Sequence, residues 1–159
     1  MADFVVRKAE LKDAELLTEM RLEMRRERDT GCLEIPEEEF YQQTLAFFEN
    51  GIRTGSFISY IAWDGNSAAA CSGLTIHIHP PTYANPTGKH GYITNLYTRP
   101  AWRKMGLART LVDAVVAAAE AEGCNGVFLN ASPMGKPLYV KYGFQNVEGE
   151  MFYPLSRKN

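Results

Sequence analysis

Apolar and polar positions alternate along this chain with two different periods, and the period switches several times. Phe4-Val5-Val6-Arg7-Lys8 reads as a short strand. Ala14, Leu17, Met20 and Met24 then recur at spacings of three and four, which predicts a helix from Asp13 to about Arg28, ended by Asp29-Thr30-Gly31. Pro36 and Glu37-Glu38-Glu39 open a second helix that runs to about Asn50-Gly51, with Phe40, Leu45 and Phe48 inward. The period then becomes two. Ser56–Trp63 and Ala68–His79 are predicted strands joined by an Asp64-Gly65-Asn66 turn. After Pro80-Pro81 and a loop over 82–90, Gly91–Thr98 is a third strand of this block. Leu107, Leu111, Ala114, Val115 and Ala118 restore the helical period, and Gly123 ends it. Gly126–Asn130 is a short continuous apolar run, the pattern of a strand covered on both faces. Pro137–Tyr142 is a short helix ending at Gly143. Phe144–Val147 and Met151–Leu155 read as two closing strands around Glu148-Gly149. The order β, α, α, β, β, β, α, β, α, β, β predicts one mixed α/β domain over residues 1–159.

Composition bounds the function. With 159 residues and 45% hydrophobic content, the chain can bury roughly 70% of its extended surface and needs no staples. No apolar run approaches the ~20 residues of a membrane span. Met1–Phe4 carry no charged-then-apolar leader, and Cys32, Cys71 and Cys124 are widely spaced, odd in number and without a CxxC. A reduced cytoplasm is the expectation. The net charge of −2 argues against a strongly basic nucleic-acid binder. Residues 1–50 carry 13 acids and 7 bases, and the remainder 6 acids and 10 bases. This asymmetry is either two solvated faces or a means of bringing a cationic and an anionic ligand to different regions.

Candidate chemistry concentrates in Tyr92–Ala108. A strand feeds a loop bearing Arg103 and Lys104, and a helix starts at Gly106. First-turn amides lack internal partners and carry partial positive charge, so an anion fits there. Gly106 and Ala108 are small, and Arg103, Lys104 and Arg109 add full charges. The segment reads as a phosphate cradle. It is not a P-loop, and Leu111 stands where a dinucleotide fingerprint needs its third small residue.

Arg103-x-x-Gly106-x-Ala108 resembles the Arg/Gln-x-x-Gly-x-Gly/Ala signature of the GNAT superfamily of N-acetyltransferases. Leu138-Tyr139-Val140-Lys141-Tyr142-Gly143-Phe144 resembles that family's Leu-Tyr-x-x-x-Gly-Phe element, and the element order matches over about residues 4–155. The resemblance implies an α/β (α+β) fold, a mixed, mostly antiparallel central sheet with a splayed parallel strand pair, flanked by helices. It implies acetyl-CoA as co-substrate, with no metal. Pantetheine would lie along Ile93–Thr98 where it parts from Val127–Asn130, contacting Leu96, Tyr97 and Thr98. Pyrophosphate would rest on Arg103, Lys104, Met105, Gly106, Leu107, Ala108 and Arg109. A strand N–H near Leu96 would stabilise the oxyanion, and Tyr139 would protonate the departing thiolate. An amine, on a small molecule or a peptide, would attack directly in a ternary complex. Nucleic acid and membrane partners are not expected, and a homodimer is possible.

The sequence departs from the family pattern at two points. Thr94 and Asn95 stand where many members have a glutamate base. Ser132 stands where many have an asparagine that contacts pantetheine, with Asn130 two residues earlier; either is a candidate contact. The missing base keeps a second reading open, a CoA-binding sensor or interaction domain that has lost transfer activity. A nucleotide-binding module using the same cradle is a third. His77 and His79 share one strand face; with His90 or Cys71 they form a sparse candidate metal set, or by themselves a proton shuttle, against a default of ordinary strand histidines. Glu23, Glu27, Asp29, Glu34, Glu37, Glu38 and Glu39 are either a solvated surface or a rim that attracts a cationic acceptor.

Overall fold

A computed structural model describes residues 3–29 and 34–155. Thr30, Gly31 and Cys32 lie outside them. The contact pattern divides the chain into two compact units, Met1–Leu129 and Asn130–Asn159.

The first unit holds five strands, β1 (Phe4–Lys8), β2 (Phe57–Asp64), β3 (Ser67–Ile78), β4 (Lys89–Thr98) and β5 (Val127–Leu129), and three helices, α1 (Ala14–Arg28), α2 (Glu37–Thr54) and α3 (Leu107–Ala121). The sheet order is β1-β2-β3-β4-β5. The first three pairings are antiparallel, and β4 runs parallel to β5. The fold is thus a mixed, mostly antiparallel sheet with one parallel pair, flanked by helices.

Alternation along the strands produces two cores. Ile61, Cys71 and Tyr97 join Leu17, Met20 and Met24 of α1 and Phe48 of α2 on one face. Their immediate neighbours Ala62 and Ala70, with Leu96, join Leu107 and Leu111 of α3 on the other. Phe57 keys α2 to the sheet. A Cβ on Gly51 would lie 2.5 Å from the Phe57 Cβ, and one on Gly73 would lie 2.5 Å from its ring. Both positions must therefore stay bare for the ring to fit.

Asp13 precedes α1 and is buried. It accepts from the Arg7 guanidinium at 2.8 and 2.9 Å and from the Glu10 amide at 2.8 Å. These bonds, the Arg7 contact foremost, hold its carboxyl below the usual carboxylate range against the opposing effect of burial. Pro36 caps α2, and Glu37, Glu38 and Glu39 occupy its first turn, where the helix dipole favours acids. Among the described residues no helix is long and apolar enough to cross a membrane.

The second unit contains one helix, α4 (Lys136–Tyr142), closed by Gly143 at φ 118°. Two expectations fail. No strand forms over 144–147 or 151–155; Val147, Met151, Phe152, Tyr153 and Leu155 are exposed. Alternating apolar residues supply strand propensity, but a strand exists only against a paired edge, and these segments have none in this structure. The second concerns β5, which is not covered on both faces. It is a three-residue edge strand, and Phe128 is exposed.

Candidate active site

The decisive local feature is a bulge in β4. Cys71 pairs with Tyr97 and Gly73 with Thr94, so Asn95 and Leu96 together oppose the single residue Ser72. Asn95 takes the left-handed conformation, φ 56°, which asparagine tolerates better than most side chains. It is buried, and its amide nitrogen donates to the Cys71 sulfur at 3.7 Å while the Cys71 thiol donates to the Asn95 carbonyl at 3.3 Å. Burial pushes the Cys71 thiol up to about 12, so it stays protonated.

The extra residue redirects the backbone. Before the bulge, the Gly91 amide donates to the Gly126 carbonyl, on the β5 side, at 3.0 Å. After it, the Arg99 amide donates to the Ala69 carbonyl, on the β3 side, at 2.9 Å. Strand N–H groups alternate, so Thr98 and Leu96 face the edge that β5 would occupy. The β4–β5 ladder ends at Ile93–Leu129, and β4 runs on to Thr98. Its outer edge is therefore available to an extended ligand.

Downstream of that edge lies the turn into α3. Lys104 and Gly106 are both left-handed, at φ 63° and 81°. A Cβ built on Gly106 meets nothing within 4 Å. Among the described residues the amides of Lys104, Met105, Gly106, Leu107 and Ala108 donate to no protein acceptor. Adjacent turn conformations of this kind make a concave set of N–H groups suited to an anion. Leu107 is buried in the α3 core, Ala108 is half-buried, and Lys104, Met105 and Arg109 are exposed. The donor set fits a diphosphate.

Two carboxylates of α1 hold this segment. Glu23 accepts two bonds from the Arg99 guanidinium, at 2.7 and 2.9 Å. Glu27 accepts from the Tyr97 hydroxyl and from Arg103, and both bonds keep its carboxyl below the usual range, the Tyr97 bond more strongly. Burial, then the bond to Glu27, pushes the Tyr97 phenol up to about 12. Arg103 also donates from Nε to the Thr98 carbonyl at 3.0 Å. The acidic residues of the first 50 are thus largely engaged. Asp29 takes Arg25, Glu37 takes Arg26, and Glu38 and Glu39 accept from Gln42 and Gln43. A pocket of about 370 Å³ lies between α1 and α2, lined by Glu19, Glu23, Glu37, Glu38, Arg26 and Tyr41.

His77 sits opposite His90 in the ladder, and the His79 ring lies 5.0 Å from that of His90. His77 also meets Tyr92 edge to face at 5.8 Å. Among the described residues no group of three or more His, Cys, Asp or Glu is arranged to hold a metal.

In the second unit Tyr139 is half-buried and lies edge-on to Phe144 at 5.6 Å. Tyr142 and Phe144 are half-buried, with their rings tilted against each other at 5.7 Å. Ser132 Oγ accepts from the Gly135 amide at 3.2 Å, and Asn130 is exposed. Sequence reasoning overlooked the bulge at Asn95 and the bracing by Glu27. An asparagine in mid-strand, where it is statistically disfavoured, is the one local signal that pointed to the bulge.

The model of the acetyltransferase (GNAT) family matches residues 17–144. This chain belongs to that family. Its fold and sequence are similar to a predicted acetyltransferase with acetyl-CoA from Clostridium acetobutylicum, at 31% identity and TM-score 0.85 over 96% of both chains. It is also similar to a GCN5-related N-acetyltransferase from Ralstonia eutropha, at 27% identity and TM-score 0.83 over 96% of this chain and 99% of that one. An aminoglycoside N-acetyltransferase in complex with CoA shares the fold, with TM-score 0.76 and 18% identity over 98% and 96% of the two chains. No curated protein sequence matches. GNAT enzymes use acetyl-CoA as co-substrate, and the open β4 edge and the α3 turn are groups of the kind that co-substrate requires.

Proposed function

We propose that this GNAT acetyltransferase transfers the acetyl group to a primary amine by direct attack within a ternary complex. The observation that carries the reading is the end of the β4–β5 ladder at Ile93 while β4, redirected at Asn95, turns Leu96 and Thr98 toward the vacated edge.

Bound acetyl-CoA supplies an activated thioester, so no covalent enzyme intermediate is needed. The Leu96 and Thr98 backbone groups align the pantetheine arm as an added strand, flanked by Tyr97. The Leu96 N–H is directed at the thioester oxygen, where negative charge develops. The amides from Lys104 to Ala108 hold the diphosphate, with Lys104 and Arg109 adding charge, while the Arg103 amide is held by the Pro100 carbonyl. Tyr139 is the acid that protonates the leaving thiolate, and Asn130 or Ser132 contacts the arm. These three assignments rest on the Leu-Tyr-x-x-x-Gly-Phe motif and its spacing. Thr94 and Asn95 accept no proton, so the amine loses its proton to water or to the His77–His79–His90 row. The free thiols Cys71 and Cys124 suit a reducing cytoplasm.

The test is acetyl-CoA-dependent release of free thiol over a panel of amines, with calorimetric binding of acetyl-CoA alongside. Turnover with any amine supports the reading. Binding without turnover on any of them would favour the CoA-sensing alternative, which the absent strand carboxylate keeps in view. No binding would overturn both.

A further inference from the structure

Arg21 lies on α1, half-buried, and its guanidinium reaches the bulge. Among the described residues its one hydrogen bond is from Nη1 to the Asn95 Oδ1, at 3.5 Å. Among the described residues of the first unit no carboxylate pairs with it. The residues outside the described set contain no aspartate or glutamate.

Its surroundings make this costly. Burial depresses its pKa, and the repulsion of Arg25 and Arg28 adds to that. Asp29 acts in the other direction but is already held by Arg25 at 2.7 and 2.9 Å. The nearby Cys71 thiol is neutral. Arginine does not shed its proton in proteins, so the charge cannot be relieved by deprotonation. A largely desolvated cation with one long bond to a neutral amide is destabilising in the free protein. Other arginines of the same helix, Arg25 and Arg26, have carboxylate partners.

An anion is the missing partner, and the two substrates are not equal candidates for it. The diphosphate of acetyl-CoA belongs to the α3 turn, whose Leu107 packs on the opposite face of the sheet from α1. The acetyl and thioester groups are uncharged. Asn95 is one residue from Leu96, whose N–H is the proposed oxyanion donor. An anion bound by Arg21 therefore lies within a few bonds of the reacting nitrogen.

We propose that Arg21 binds a carboxylate or phosphate on the acceptor, so that this enzyme acetylates amines carrying an anion close to the amino group rather than polycations. This rests on the transferase reading above.

The experiment compares acceptors in matched pairs, α-amino acids against their amides and phosphoethanolamine against ethanolamine, in the thiol-release assay. The expected result is a kcat/KM at least tenfold higher for the anionic member, lying mainly in KM. Arg21→Gln is expected to remove that preference by raising KM for the anionic member, and Arg21→Lys to keep part of it. The Arg21→Gln melting temperature is expected to be no lower than that of the original protein, because the residue serves binding at the expense of stability. Equal or inverted preference in the original protein would overturn the proposal. So would an equal loss of kcat on both members, or a fall of several degrees in the variant's melting temperature, which makes Arg21 structural. If no amine turns over, the transferase reading fails, and Arg21 is judged by melting in inorganic phosphate and in acetate. Stabilisation of the original protein that Arg21→Gln lacks supports an anion site, and equal shifts overturn it.

Discussion

Gly91 and Arg99 lie on the same strand an even number of residues apart, yet their amides point to opposite edges, one to Gly126 and the other to Ala69. An unbroken strand would aim both the same way. Asn95, at φ 56°, is the residue that reverses the parity. Asn95→Gly is therefore expected to keep both fold and activity. Asn95→Val is expected to lose about 1–3 kcal/mol, since a β-branched residue resists that conformation. Its kcat/KM should fall at least tenfold, as the Leu96 N–H loses its aim. Chemical denaturation and the thiol assay measure the two effects, and a fully active valine variant would remove the bulge from the mechanism.

Gly106 tests the cradle. The space around a Cβ there is empty of protein atoms, so the protein itself offers no clash. The remaining penalties are the left-handed backbone and whatever ligand fills that space. Gly106→Val is expected to raise the acetyl-CoA Kd at least tenfold by calorimetry. An unchanged Kd would place the diphosphate elsewhere.

Tyr139→Phe separates chemistry from binding. A positioned acid is worth roughly 10²–10⁴ in rate. The variant should lose at least tenfold in kcat while its acetyl-CoA affinity stays near that of the original protein. Turnover at the original rate would strip Tyr139 of the acid role.

How much of this was legible beforehand depended on range. The α3 face of Leu107, Leu111, Val115 and Ala118 and the glycine at its start are local patterns, and they identified both the helix and the glycine turn that opens it. The bracing of that turn is not local. Glu23 meets Arg99, and Glu27 meets Arg103, each across 76 residues. Composition alone therefore showed an acidic first third, whereas the fold engages much of that charge in pairs. Asn95 was legible as a residue that cannot accept a proton. Its left-handed backbone arises only when β3 and β4 pair out of step. The closing segments failed for the converse reason. Met151, Phe152 and Tyr153 have strand-forming side chains, but pairing is a property of two segments, not one.

Acid should weaken the first unit through Asp13. Its carboxyl is held below its usual range in the folded state, chiefly by Arg7. It therefore contributes stability above the unfolded value of about 4, and loses it as pH falls through the lower folded value. Asp13→Asn should cost about 2 kcal/mol at pH 7, and the difference should shrink as the pH falls below the unfolded value and through the lower folded one. Urea melts across that range would show it. A difference independent of pH would mean packing, not charge, is what Asp13 supplies.

Cys71 should be inert. Fully buried, with its thiol raised to about 12, it presents almost no thiolate at pH 8. Peptide mapping after treatment with a thiol reagent should find it unmodified in the native protein and modified once urea is added. Rapid native labelling would show that the bulge opens on its own.

Glu23 and Glu27 stand one helical turn apart, and the two arginines they grip, Arg99 and Arg103, are spaced by the same interval. The result is a two-rung clamp between a helix and the stretch of chain leading into the turn before α3. A loop fixed at both rungs would meet the proposed diphosphate already shaped, so little ordering entropy would be lost on contact. On the proposed reading, tightness of grip is thereby set in part by residues that never touch what is gripped.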